Sequence, residues 1–145
     1  MSEAKRDSIH TVLFVCVGNI CRSPMAAALA RTLLGSQATV ESAGTAAEDG
    51  SAATPEAIEV MRERGLDIAS HRSRSIRSIN MKAFDLIVAL TPAIAEPLRT
   101  RGVDPSKLHT LNVPDPIGLG LEAYRDAADA IERDVGLIFG VDHDD

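Results

Sequence analysis

Four short apolar runs are spaced along the chain, and stretches with apolar residues at helical spacing separate them. The runs are TVLFVCV (Thr11–Val17), ATVESAG (Ala38–Gly44), FDLIVAL (Phe84–Leu90) and KLHTLNV (Lys107–Val113). The first is β-branched and apolar at almost every position, as in a strand buried on both faces. Between the runs, Pro24 opens a stretch of strong helix formers, MAAALARTLL, that Gly35 stops. TPEAIEVMRERG predicts a second helix, opened by Thr54 and Pro55 and closed by Gly65. TPAIAEPLRTRG predicts a shorter one with a break near Pro97, and Leu121 to about Phe139 predicts a long amphipathic helix. Strands alternating with helices imply an α/β fold with a parallel sheet covered on both faces. In such sheets ligands bind beyond the carboxyl ends of the strands.

Composition narrows the class. A chain of 145 residues, 45% hydrophobic and 25% charged, is expected to form one globular domain over residues 1–145, with residues 1–9 a flexible N-terminus. The net charge of −6 argues against a nucleic-acid partner, which would need a basic face. No apolar stretch has the length of a membrane span, and MSEAKRDSIH has no apolar signal core, so no membrane association and a cytoplasmic location are expected. The two cysteines stand close together, while His10, His71, His109 and His143 are scattered, which makes a metal site a weak reading.

The chemistry is concentrated where the first run ends: Cys16-Val17-Gly18-Asn19-Ile20-Cys21-Arg22-Ser23 leads straight into the first long helix. A loop of this length can turn its backbone N–H groups toward one point, with Gly18 and Asn19 taking left-handed φ. The helix N-terminus adds unpaired N–H groups and the positive end of its dipole. Arg22 adds a planar fork suited to two oxygens of a phosphate. Such a cradle favours the anionic form of a sulfur within it, so Cys16 is a candidate nucleophile. A buried structural cysteine in a plain β–α turn is the bland alternative, and it leaves the Gly-Asn pair and the C-x5-R spacing unexplained.

VCVGNICRSPMA resembles the active-site loop of the low-molecular-weight protein tyrosine phosphatases, whose pattern is C-x-G-N-x-C-R-S. The resemblance continues in family order through ESAGT (Glu41–Thr45), HRSR (His71–Arg74), FDLIVAL and VPDP (Val113–Pro116), covering nearly the whole chain. It implies a flavodoxin-like four-stranded parallel sheet, no metal or organic cofactor, phosphorylated protein substrates, and a monomer or weak dimer. By the same resemblance Cys16 forms a cysteinyl-phosphate, the loop Val17, Gly18, Asn19, Ile20, Cys21 and Arg22 binds phosphate, and Asp115 is the general acid. Asn19 is then held by Ser42 and His71. Ser23 has two readings, as a hydrogen-bond donor to the Cys16 sulfur and as a helix N-cap. Cys21 also has two, as a small apolar filler and as a partner for a reversible disulfide with Cys16. Arg72, Arg74 and Arg77 read as a solvated charged face, with attraction of acidic or phosphorylated substrates as the alternative.

The chain departs from the family's tyrosine-directed members at two positions. They place aromatic walls around Glu48 and at Ile117, whereas this chain's aromatics are Phe14, Phe84, Tyr124 and Phe139. SAGTAAEDGSAATPEA and DPIGLG look more like the protein arginine phosphatase branch. That branch tends to carry Thr at the position of Ile20, and a bulky Ile20 leans back toward phosphotyrosine. Phosphotyrosine hydrolysis is therefore the expected activity, with phosphoarginine hydrolysis as the alternative. An arsenate reductase, which passes electrons along further cysteines, and a catalytically silent phosphoprotein-binding module are weaker readings.

Overall fold

The computed structural model describes residues 2–140; His143 lies outside them. Four strands, β1 (Thr11–Cys16), β2 (Thr39–Gly44), β3 (Leu86–Ala89) and β4 (Leu108–Thr110), form one parallel sheet in the order β2-β1-β3-β4. The helices are α1 (Glu3–Asp7), α2 (Arg22–Leu34), α3 (Pro55–Glu63), α4 (Pro92–Thr100) and α5 (Leu121–Phe139). α2 carries the chain from β1 to a neighbour on one side, and α4 carries it from β3 to a neighbour on the other. Right-handed crossovers in opposite directions place the two helices on opposite faces. The strand order reverses at β1, so a crevice forms beyond the carboxyl end of that strand.

Burial follows the layers. Val12 to Cys16 are all buried in the central strand, with exposures of 0–1%. α2 is buried on every side from Arg22 to Ala30, packed on β1 and β2 and covered by α5. Its alanines at 26, 27, 28 and 30 allow this close three-way packing. Tyr124, Ile131 and Val135 bring the apolar face of α5 into the same core.

Local chemistry sets the element ends. Thr54 Oγ accepts the Ala57 N–H, and Thr91 Oγ accepts the Ile94 N–H; each caps a helix that opens on proline. Gly35, at φ 55°, ends α2. Three expectations need correction. Residues 3–7, read as part of a flexible N-terminus, form α1 on a Ser2 cap, and Ile9 is buried beside it. α4 runs unbroken through Pro97, because Ile94, Ala95 and Leu98 anchor it in the core. The carbonyl that Pro97 leaves without a helical donor belongs to Ala93, an exposed residue that water can reach. The regular part of β4 is shorter than its apolar run, although Leu111 N–H still donates to Ala89 O at 2.8 Å and Val113 N–H to Leu90 O at 2.9 Å before Pro114 ends the pairing.

Candidate active site

Cys16 is the last residue of β1 and pairs in register with Gly44, the last residue of β2. The chain then loops through residues 17–21 and enters α2 at Arg22, which is 4% exposed. Around the buried Cys16 sulfur, the Asn19 N–H donates at 3.2 Å and the Ser23 hydroxyl lies at 2.9 Å. Asn19 Nδ2 donates to Ser23 Oγ at 2.7 Å, occupying a lone pair of that oxygen. The single hydroxyl proton is then free for the sulfur, since Ala43 O, at 3.4 Å, is the weaker acceptor. Both contacts aim a donor at the sulfur. Ser23 lies inside α2, whose cap residue Cys21 makes no side-chain cap bond, so the N-cap reading of Ser23 is not what forms.

The loop conformation is fixed by Asn19, at φ 56° the one non-glycine residue with positive φ among those described. Gly18, expected to share that role, has ordinary φ. Asn19 is fully buried and uses every polar group it has. Its Nδ2 also donates to Ser42 Oγ at 3.0 Å, its Oδ1 accepts the Arg74 N–H at 3.0 Å, and its carbonyl accepts from His71 Nε2 at 2.7 Å. A carbonyl can only accept, so the His71 proton sits on Nε2. Burial lowers the His71 pKa below its ordinary value, and the nearby cations of Arg31, Arg72 and Arg74 add to this; the bond to Asn19 opposes both. The neutral imidazole is thereby kept as a donor.

Neighbouring segments brace the loop from outside. Thr45 N–H donates to Cys16 O, Ala46 N–H to Val17 O and Thr54 N–H to Ile20 O, at 2.8–3.0 Å. The approach is so close that a Cβ on Gly44 would stand 2.4 Å from Val17 O and 3.0 Å from Asn19 N. Sequence reading did not assign Gly44 a role, though a glycine closing a buried strand in S-A-G-T was the available signal. Arg74 is a second supporting residue read only as surface charge. Its guanidinium donates to Ser42 O at 3.2 Å and pairs with Glu41 at 2.5 Å. Arg72 and Arg77 are exposed, as the solvated-face reading expects.

Among the described residues, the N–H groups of Gly18, Ile20 and Cys21 donate to no protein carbonyl. The buried Arg22 Nε has no protein partner either, while Arg22 Nη1 is anchored on Val113 O at 3.0 Å. The loop thus holds unspent donors beside a sulfur, an arrangement that matches the oxygens of a tetrahedral oxyanion. Asp115, on the segment after β4, reaches the same place: its Oδ2 lies 3.6 Å from Arg22 Nη2, and its side chain is 43% exposed. Cys21 Sγ donates to Asp115 Oδ1 at 3.7 Å. Burial, then the adjacent Cys16 and Asp115, push the Cys21 thiol up to about 12, so this second cysteine stays protonated. No cluster of three or more metal-ligating side chains occurs among the described residues.

The exposed large apolar side chains on the two segments that carry the site are aliphatic, Val17 after Cys16 and Ile117 after Asp115, whereas Phe14, Phe84, Tyr124 and Phe139 are all buried in the core. A buried sulfur, unspent donors around it and a carboxyl group at the rim are the parts that attack on a phosphoryl group, retention of its oxygens and proton transfer to a leaving group require.

Comparison with known proteins agrees with this chemistry. The family of low molecular weight phosphotyrosine protein phosphatases matches residues 11–140. The chain is similar to the probable low molecular weight protein-tyrosine-phosphatase EpsP of Ralstonia nicotianae, 36% identical over 88% of this chain and 92% of the relative. It is also similar to a protein-arginine-phosphatase of Geobacillus stearothermophilus, 35% identical over 85% of this chain and 89% of the relative. Its fold superposes on the low molecular weight protein tyrosine phosphatase of T. tengcongensis with a TM-score of 0.83, at 33% identity over 90% of this chain and 98% of that one. The match of family, relatives and fold across almost the whole chain places this protein in the low molecular weight protein-tyrosine-phosphatase family, a family of hydrolases.

Proposed function

We propose that the protein hydrolyses phosphotyrosine monoesters on phosphorylated proteins, with Cys16 as nucleophile, Arg22 and the loop N–H groups as the phosphate clamp, and Asp115 as general acid. The observation that carries this reading is the convergence of the Cys16 sulfur, the unspent donors of the loop and Arg22, and the Asp115 carboxylate at one strand end. In the first step the sulfur anion forms a bond to phosphorus as the phosphorus–oxygen bond to tyrosine breaks. The departing oxygen takes the Asp115 proton, because an unprotonated phenolate, with an ordinary pKa of about 10, leaves poorly at neutral pH. In the second step water gives its proton back to Asp115 and attacks phosphorus, releasing inorganic phosphate and the Cys16 sulfur. Asn19, Ser23, Ser42 and His71 act as positioning residues that hold the loop open.

A bulky Ile20 in the loop, half exposed beside the cradle, favours the flat phenyl ring over a phosphorylated guanidinium. Phosphoarginine hydrolysis remains the second reading, favoured by one observation: none of the four aromatic side chains reaches the mouth to stack on a substrate ring. An arsenate reductase reading is weakened by the lack of any cysteine after Cys21, and a silent binding module by the presence of nucleophile, clamp and acid together. Among the described residues no helix is long and apolar enough to cross a membrane, and we place the protein in the cytoplasm, acting as a monomer or weak dimer without a cofactor.

The test is to mix the enzyme with a phosphotyrosine peptide, quench it rapidly and map the phosphoryl group by mass spectrometry. The reading predicts a phosphoryl group on Cys16 in the wild type and neither a phosphoryl group nor turnover in Cys16→Ala. Turnover by Cys16→Ala, or a phosphoryl group on another residue, would overturn it.

A further inference from the structure

The end of the sheet opposite the catalytic loop carries a second concave site. Residues 79–82 lead into β3, and residues 101–107 join α4 to β4, so both segments lie at the amino ends of these parallel strands. Between them is a half-enclosed cavity of about 560 Å³. Ile79, Met81, Ile87 and Val103 give it an apolar lining, and Lys82, Arg101 and Lys107 supply its charge. That volume falls within the range of small-ligand pockets.

The chain carries a net charge of −6, and arginines 22, 62, 64, 74, 99, 125 and 133 all stand in ion pairs. Lys82, Arg101 and Lys107 make no ion pair within 4 Å among the described residues, yet they share one mouth. Lys5, Arg31, Arg72 and Arg77 also stand in no ion pair within 4 Å among the described residues, so what distinguishes this cavity is that three such cations line it together. The one carboxylate lining the cavity is Asp104, whose Oδ1 is engaged by the Ser106 N–H and hydroxyl, both at 2.9 Å. Arg101 follows the last turn of α4, where a cation suits the helix dipole; Lys107 stands near the Asp104 carboxylate; and Lys82 lies in a separate three-residue turn. Three cations and one carboxylate share the mouth, a net positive charge that attracts an anion. Asn80 adds a further donor: its Oδ1 already accepts the Lys82 N–H, which leaves the amide NH₂ group for a ligand.

We propose that this cavity is a second anion site, separate from the catalytic loop, that takes a soluble organophosphate with an apolar ring. The phosphate meets Lys82, Arg101 and Lys107, and the ring lies on Ile79, Met81 and Val103. The assignment stands independently of the catalytic reading.

The test uses 1-naphthylphosphonate, which phosphatases do not hydrolyse, titrated into the ¹⁵N-labelled protein and followed by NMR. Two sets of saturable shifts are expected, one over residues 16–23 and one over residues 79–82 and 101–107. The variant Lys82→Glu/Arg101→Glu/Lys107→Glu should weaken the second set by about tenfold or more, while the first set and the turnover of an aryl phosphate stay unchanged. Lys82→Gln/Lys107→Gln, a milder change, should give an intermediate loss. Shifts confined to residues 16–23, or equal affinity in the charge-reversed variant, would overturn the proposal. So would equal binding of uncharged 1-naphthalenemethanol, or binding only to phosphatidylglycerol vesicles and not to the soluble phosphonate.

Discussion

The two loops that meet at the site are built in opposite ways. The loop after β1 is closed in on itself: Cys16, Asn19, Arg22 and Ser23 are all buried, and Asn19 alone makes four hydrogen bonds through its side chain and carbonyl. The loop after β4 is open to solvent. Ile117 and Leu119 are 50% and 69% exposed, and the turn is held by the Ile117 N–H on Asp115 Oδ1 and the Leu119 N–H on Pro116 O. A left-handed backbone at a non-glycine residue costs free energy and persists only where its surroundings over-determine it, as they do at Asn19. The first loop is therefore rigid, with its donors in place before substrate arrives. The second is exposed, and under the proposed function it brings the Asp115 carboxyl to the substrate. On this account the rigid loop sets the rate of phosphoryl transfer, and the open loop sets the dependence on leaving group.

The strongest challenge to the rigid half is Arg22→Lys. An ammonium keeps the charge but cannot both anchor on Val113 O and present a fork to phosphate. We expect kcat to fall by about 10²–10³-fold with the melting temperature little changed; near-normal kcat would mean that the clamp lies elsewhere. The open half is tested by Asp115→Asn. The loss should be about 10²-fold with a phosphotyrosine peptide and less than about tenfold with p-nitrophenyl phosphate, whose phenolate departs more readily unaided. An equal loss with both would make Asp115 a turn residue.

Gly44→Ala probes the brace rather than the chemistry. The added methyl meets backbone at Val17 and Asn19, which cannot swing aside as a side chain can. A loss of about 1–3 kcal/mol in urea unfolding is expected, with a several-fold fall in kcat. Unchanged stability would show that the two strand ends part easily. The smallest effect concerns His71. Its pKa is lowered in the folded state, so the unfolded chain binds more protons on the acid side. Stability from this group is fully present above the ordinary value of about 6.5 and is lost as pH falls through the lower folded value. Because His71 is only half-buried, we expect less than about 1 kcal/mol. The urea midpoint should drop less between about pH 7.5 and 5 in His71→Gln, which retains a side-chain donor, than in wild type. An identical drop would remove His71 from the pH response.

Much of this was legible from the sequence because the relevant signals are local. Thr54-Pro55 and Thr91-Pro92 carry their own capping chemistry, and the C-x5-R loop states its spacing within a few residues. The contacts that escaped were all long-range. Nothing near Gly44 in sequence reveals the carbonyl of Val17 against its α-carbon, and nothing near Arg74 reveals Ser42 and Glu41 beneath its guanidinium. Pro97 misled for the same reason: a local rule predicts a break, and the burial of Ile94, Ala95 and Leu98 overrides it. The second cavity has no motif because its cations come from two segments well apart in sequence.

The central claim is that the buried cradle, with the bulky Ile20 beside it, serves a phosphotyrosine monoester even though no aromatic side chain is exposed beside it. The most direct measurement is kcat/KM for two peptides of identical flanking sequence, one with phosphotyrosine and one with phosphoarginine, on a single preparation of enzyme. The account predicts that phosphotyrosine is preferred by about tenfold or more, the scale on which an apolar pocket discriminates. A preference for phosphoarginine would contradict it.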